Sequence, residues 1–253
     1  MKSRRAYPGI KGFLLVFLLV TVFLPLIRML GQMAGVDLGA MLGSATFKTA
    51  LKNSIWVSTV STLISLTLAL VLAWMIERSA ISFKKAFILL FTLPMLIPSI
   101  SHGMGLVVLF GANGVLTNWL KLPGNIYGFW GIVAGSVLYS FPLAFLMLSD
   151  VLGYEDSSPY EAADVLGIPK AWQWTSISLP YLRRPLISTL FAVFTLVIID
   201  YGVPLMVGGQ YKTLPVMMYQ DVIGLLDFGK GSVIGLILLA PALLAFVLDL
   251  FKG

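Results

Sequence analysis

The sequence predicts an all-α integral membrane protein with six transmembrane helices, and three observations lead there. Hydrophobic residues make up 58% of the 253 and charged residues 11%, against about 45–50% and about 25% in soluble domains. A globule of this size has too little interior to hide so much apolar side chain. Backbone groups in hydrocarbon must bond within the spanning structure, which leaves helices or a closed barrel. Long unbroken apolar runs, rather than ten-residue alternating strands, select helices.

Six spans are read in order: Gly12–Leu30, Ser54–Ile76, Ala86–Phe110, Phe129–Ser149, Pro185–Val207 and Ser232–Phe251. Each is close to the ~20 residues a bilayer requires. The first follows Lys2, Arg4, Arg5 and Lys11; with no clear small-x-small cleavage site it reads as a retained anchor rather than a signal peptide. Pro94 and Pro98 in the third remove backbone donors and predict a bend, tolerated where neighbouring helices satisfy the freed carbonyls. No short repeat or low-complexity linker divides the chain, so residues 1–253 read as a single domain.

The net charge of +6 does not indicate nucleic acid, because the basic residues gather at span ends. With the N-terminus inside, the cytoplasmic segments hold Lys2, Arg4, Arg5, Lys11, Arg78, Lys84, Lys85, Lys170, Arg183, Arg184 and Lys252, and the outer ones six of the 17 Lys and Arg. Eleven against six favours both termini inside. The absence of Cys rules out thiolate sites, and His102 is the single histidine, so a multi-histidine metal site is excluded. No HExxH, P-loop or convincing catalytic cluster is present, and no catalytic residue, metal or cofactor is assigned.

Residues 150–184 form the longest and most polar segment on the inner side. Ser158-Pro159-Tyr160-Glu161 has the form of a helix start, with Ser158 as cap, Pro159 at the first position and Glu161 completing a capping box. The helix should stop at Gly167, whose backbone suits a left-handed turn. A second short helix should run from Ile168-Pro169 to about Thr175, with Leu179-Pro180 closing the loop. The expected shape is two short helices at a glycine elbow, small and acidic residues outward.

Within this loop Glu161-Ala162-Ala163, three residues, Gly167, nine residues, and Ile177-Ser178-Leu179-Pro180 match the EAA-x3-G-x9-I-x-LP pattern. The chain thereby resembles the permease subunits of bacterial ABC importers. The resemblance covers roughly residues 50–253. Tyr139-Ser140-Phe141-Pro142, Asp200-Tyr201-Gly202-Val203-Pro204, Gly208-Gly209 and Thr213-Leu214 look like the subset serving ferric iron, thiamine, polyamines, sulfate or phosphonates.

By that resemblance, Glu161, Ala162, Ala163 and Gly167 fall at an elbow docking into a cytoplasmic ATPase, while Ile177, Leu179 and Pro180 anchor it to the next span. It implies a multi-pass subunit of the bacterial cytoplasmic (inner) membrane. Its partners would be two ATP-binding cassette ATPase subunits, a periplasmic or lipoprotein solute-binding protein and a second permease half. That half would be identical, related or fused; a place as the N-terminal half of a longer two-unit polypeptide stays open. The solute would be small and polar or charged, such as iron(III), phosphonate, thiamine or a polyamine. The alternative is a secondary transporter or channel without an ATPase.

Two residues stand out as pathway or gate candidates. Asp200 lies in the fifth apolar run, where a carboxylate is costly and a functional candidate by default; the other reading is a cap on broken backbone. His102, among small polar residues after Pro98, is read either as a hydrogen-bonded packing residue or as a pathway contact. Ser99 is one of several hydroxyls available for bonds between helices.

Overall fold

The computed structural model describes residues 8–79, 81–121 and 123–250. Six helical stretches are long and apolar enough to cross a membrane, Gly9–Gly35, Ala45–Arg78, Ser99–Leu120, Phe129–Gly153, Lys170–Ile198 and Phe228–Val247. The first joins α1 (Pro8–Leu18) to α2 (Leu24–Gln32) through a wide π-type turn, Leu19–Phe23. None of its side chains in α2 is buried. A helix that is apolar all round and packs so little is one solvated by lipid.

A short helix α3 (Leu38–Gly43) leads to α4 (Ala45–Arg78), capped by the Ser44 hydroxyl, which accepts from the Phe47 amide at 3.2 Å. With 34 residues, α4 runs to ~51 Å at helical rise, beyond the ~30 Å of hydrocarbon. It packs along α8 (Phe129–Gly153), where the buried small residues Ser58, Ser61, Ser65, Ala69 and Ala73 of α4 and Ser136, Ser140 and Ala144 of α8 recur at helical spacing. Small side chains let the backbones approach, and Ser65 and Ser140 share a hydrogen bond at 2.8 Å across the contact. The fully buried Phe145, Leu148, Leu182 and Val193 fill the space where α8 and the fifth span meet α4.

The third span departs from the sequence reading of one bent helix over Ala86–Phe110. It is broken outright into α5 (Lys84–Thr92), a 3-10 turn Leu93–Leu96, extended backbone at Ile97 and Pro98, and α6 (Ser99–Phe110), followed by α7 (Val115–Leu120). Two prolines four residues apart each remove a donor and crowd the preceding turn, more than one kinked helix can absorb.

The fifth span is displaced from the expected Pro185–Val207. After α9 (Ser158–Val165), helix begins at α10 (Lys170–Gln173), widens into a π turn Trp174–Ser178, and continues as α11 (Leu179–Ile198). Leu179 and Pro180 therefore do not close the loop. The Leu179 amide reaches back to the Trp174 carbonyl, and this wide turn makes room for the Pro180 ring, which would crowd a regular helix. The span ends at Ile198; α12 (Gly202–Val207) is separate. A second core of Phe47, Ile198, Leu214, Ile234 and Leu238 joins α13 (Leu214–Tyr219) and α14 (Phe228–Leu250) to the start of α4.

The elbow and the joint between broken helices

The elbow is built from side-chain caps. The Asp156 carboxylate accepts from the Ser158 amide at 3.0 Å and the Ser158 hydroxyl at 2.8 Å, bonds that hold its carboxyl below the usual carboxylate range. The cap thus sits earlier than the expected Ser158. Ser157, not Ser158, pairs with Glu161, donating to its Oε1 at 2.8 Å. At the far end Ile168 N–H bonds to Ala163 O at 2.9 Å and Gly167 N–H to Asp164 O at 3.0 Å. This is the double bond pattern of a glycine-terminated helix, and Gly167 holds φ +69° as the sequence predicts.

Three residues that the sequence reading did not single out lock the two arms together. The buried Gln173 amide donates to Asp164 Oδ1 at 2.6 Å and to the Ile168 carbonyl at 2.9 Å. Lys170 Nζ bonds both Asp164 oxygens, at 2.7 and 2.8 Å. These donors, Lys170 first, hold the Asp164 carboxyl below its ordinary range. A charged side chain nine residues before a glutamine was the available signal, and it is a weak one.

The outward surface carries small and acidic residues, as expected, and large apolar ones as well. Glu161 and Ala162 are exposed, but Ala163 lies on the buried face of α9. The tip presents Val165 at 89% exposure and Leu166 at 75%, with Trp172 at 67% on the second arm. Ile177 is half-buried and Leu179 and Pro180 are exposed, all three inside the continuous helix.

Asp200 lies between α11 and α12, at the level where the third span is also broken. Its Oδ1 accepts from the Ser99 hydroxyl at 2.5 Å and the Gly202 amide at 3.1 Å, and its Oδ2 from the Val203 amide at 3.2 Å. The carboxylate caps α12 and ties it to the first residue of α6. Gly202 is required by this approach, since a Cβ there would collide with Ser99 Oγ and the Ile100 amide. His102, one turn along α6, has Nδ1 3.3 Å from the Pro98 carbonyl and its ring 6.0 Å from that of Tyr139. Nδ1 therefore donates to a carbonyl that also accepts from the Ser101 amide at 2.9 Å. The elbow and this joint stand at opposite ends of α11, whose 20 residues span ~30 Å.

Residues 77–252 match the family described as binding-protein-dependent transport system inner membrane component. The chain belongs to this family. Among curated members it is 28% identical over 186 residues to the ferric transport system permease protein FbpB of Actinobacillus pleuropneumoniae, covering 70% of this chain and 27% of that one. It is 27% identical to the thiamine transport system permease protein ThiP of Haemophilus influenzae, with 65% and 32% covered. With the molybdenum transport system permease protein ModB of Azotobacter vinelandii it shares 28% identity, over 59% of this chain and 70% of that one. The chain thus spans under a third of the length of the ferric and thiamine relatives. A chain in the crystal structure of a bacterial alginate ABC transporter, in complex with an alginate pentasaccharide-bound periplasmic protein, superposes with TM-score 0.77. It is 20% identical, covering 96% of this chain and 91% of that one, and this likeness shows the fold.

Proposed function

We propose that this member of the inner membrane component family is a permease subunit of an ATP-driven importer, forming half of a solute pathway. It takes up motion from a separate ATPase through the elbow around Glu161 to Gly167. The observation that carries this is the elbow itself, a rigid, glycine-turned knob with Val165, Leu166 and Trp172 bare at its tip and a continuous helix leading from it. A firm knob with an apolar tip is what a groove on a partner protein can grip.

The elbow end is cytoplasmic in this reading, with both termini on the same side. ATP binding closes two ATPase subunits; the elbow moves with them, and α11 carries the displacement to the joint at Asp200. Ser99 and Asp200 hold the two helix breaks together, so both respond as one piece. ATP hydrolysis belongs to the partner, and this chain supplies shape rather than catalysis. The likeness to ferric, thiamine and molybdenum transport permeases supports a small polar or charged solute, delivered by an external binding protein.

The test is co-purification of the chain, with its second permease half, from membranes in mild detergent. A stoichiometric ATPase whose hydrolysis rises when the loaded binding protein is added supports the reading. Transport by the purified chain in vesicles with no ATPase would establish the secondary transporter or channel instead.

A further inference from the structure

Beneath the elbow, a second set of contacts reaches a different span. Arg78, the last residue of α4, pairs with Glu155 in the segment just before α9. Its guanidinium carbon lies 4.2 Å from the centroid of the Tyr160 ring and 5.1 Å from that of Trp74, within the ~6 Å over which a cation is drawn to a ring face. Glu155, with its side chain 4% exposed, also accepts the Tyr160 hydroxyl hydrogen at 2.5 Å. That phenol has one proton and gives it to the carboxylate, so Ser178 must be the donor in the 2.7 Å bond between Ser178 Oγ and the Tyr160 oxygen. Trp74 completes the ring of contacts by meeting Trp174 edge to face at 4.7 Å.

Four pieces of chain meet here: the end of α4, the segment entering the elbow, the first turn of α9, and the π turn that starts the fifth span. No short covalent link joins α4 to the elbow, since 76 residues of chain separate Arg78 from Glu155. We infer that Arg78 is a positioning residue that clamps the elbow to the second span, so elbow displacement enters the bundle through α4 as well as through α11. The chemistry suits the task. A planar guanidinium satisfies a carboxylate at its edge while stacking on rings with its faces, which a lysine ammonium does not. The neighbouring charges are already committed: Glu77 accepts from Lys84 at 2.5 Å and from Ser149 at 2.8 Å. Arg78 is thus the cation that reaches the elbow.

This inference rests on the importer reading, and the experiment separates the two. Arg78→Gln and Tyr160→Phe are compared with the unmodified chain in the assembled complex. The second variant is mild, deleting one hydroxyl while keeping the ring face. Both should retain the ATPase subunits and basal hydrolysis. Solute-stimulated hydrolysis should fall roughly tenfold in Arg78→Gln, within the span of ordinary coupling between sites, and less in Tyr160→Phe. The sequence has no Cys, so spin labels on cysteines introduced at the exposed Val71 and Ser176, both away from the Glu161 to Gly167 docking face, report the α4-to-elbow distance alone. That distribution should be narrow in the unmodified chain, unchanged by ATP, and visibly broadened by Arg78→Gln. Unaltered stimulation, an unaltered distance distribution, or stimulation lost only in proportion to lost ATPase subunits would overturn the clamp. If the unmodified chain itself retains no ATPase, the importer reading fails and takes the clamp with it, a result distinct from all of these.

Discussion

Ser99 and Asp200 are 101 residues apart in sequence and 2.5 Å apart in space, and each begins the repair of a broken helix. Ser99 is the first residue of α6; Asp200 supplies the cap of α12. Their bond places two interruptions of the membrane-spanning helices side by side, where each satisfies polar groups the other leaves open. Broken backbone at membrane depth is tolerable only under such cover. Asp200 is thus a cap on broken backbone that also ties α12 to α6.

Asp200→Asn should lower transport more than it lowers the amount of protein in the membrane. An asparagine keeps one acceptor oxygen but replaces the other with an NH2 group facing a backbone donor, so one of the three bonds must break. Losing a capping interaction costs about 0.5–2 kcal/mol, too little to unfold the bundle yet enough to loosen the joint. Uptake measured against immunoblot abundance checks this. Equal loss of both would reduce the residue to a purely structural one, and full uptake would remove it from the mechanism.

Gly167→Val should insert normally and lose solute-stimulated ATP hydrolysis. At φ +69° any L side chain is strained, by about 1–2 kcal/mol per residue in the left-handed region, and a β-branched one more so. No neighbour lies within 4 Å of a Cβ at this position, so the effect comes from backbone angle and not from collision. Gly167→Ala should therefore show the same defect in weaker form, and Gly167→Asn, which tolerates this conformation, should be nearly silent. A silent Gly167→Val would contradict the account.

The elbow shows where sequence reasoning succeeds and where it stops. A glycine ending a short polar helix has local causes, so its position and its left-handed angle were both legible. The six apolar runs were legible because a bilayer sets their length and composition. Gln173 was not, because its value depends on being buried against Asp164 and the Ile168 carbonyl, which only the folded elbow brings near. Pro180 misled for a related reason. Proline usually ends a helix, and the π turn that accommodates it here leaves no mark in the composition. Both ends of the Ser99 to Asp200 bond were visible, one as a carboxylate in an apolar run and one among several hydroxyls, but nothing local pairs residues 101 apart.

Gln173→Ala should leave the spans intact and loosen the elbow. Removing the buried amide takes one donor from Asp164, which keeps Lys170, and one from the Ile168 carbonyl; each lost hydrogen bond costs about 0.5–1.5 kcal/mol. Faster amide exchange and proteolysis confined to residues 156–178 would check it, with the thermal transition of the whole protein little changed. Uniform protection in the elbow would contradict the bridging role.

Acid should loosen the elbow in a direction set by Asp156 and Asp164. Both carboxyls are held below the ordinary range, the first by Ser158 and the second by Lys170 and Gln173. A depressed carboxylate stabilises the folded form above its ordinary unfolded value and loses that contribution as pH falls through the lowered one. Amide exchange in the elbow, corrected for intrinsic rate, should therefore be flat from neutral pH down to the usual carboxylate range and rise below it. Asp164→Asn should loosen the second arm at every pH and flatten its acid response. Loosening that began near neutrality would point to a different group.

The joint should tolerate no extra carbon on its inner side and accept one on its outer side. A Cβ on Gly103 would lie 2.7 Å from Met206 Cβ and 3.3 Å from the Val203 Cα. These atoms belong to or adjoin the α12 backbone, so they cannot swing aside as the end of a long side chain would. Gly105 stands two residues away on the same helix and has nothing within 4 Å of such a carbon. Alanine at both positions makes the same change in helix propensity, about 1 kcal/mol in favour of the helix, so the pair isolates packing. Gly103→Ala should then destabilise the protein by about 1–3 kcal/mol net of that gain, the usual result of overfilling a close contact, by prying α6 from α12 and stretching the Ser99 to Asp200 bond. Gly105→Ala should be neutral or slightly stabilising. Thermal unfolding of the two variants in detergent checks the contrast, and equal transitions for both would mean that α6 and α12 are not packed as tightly as these distances require.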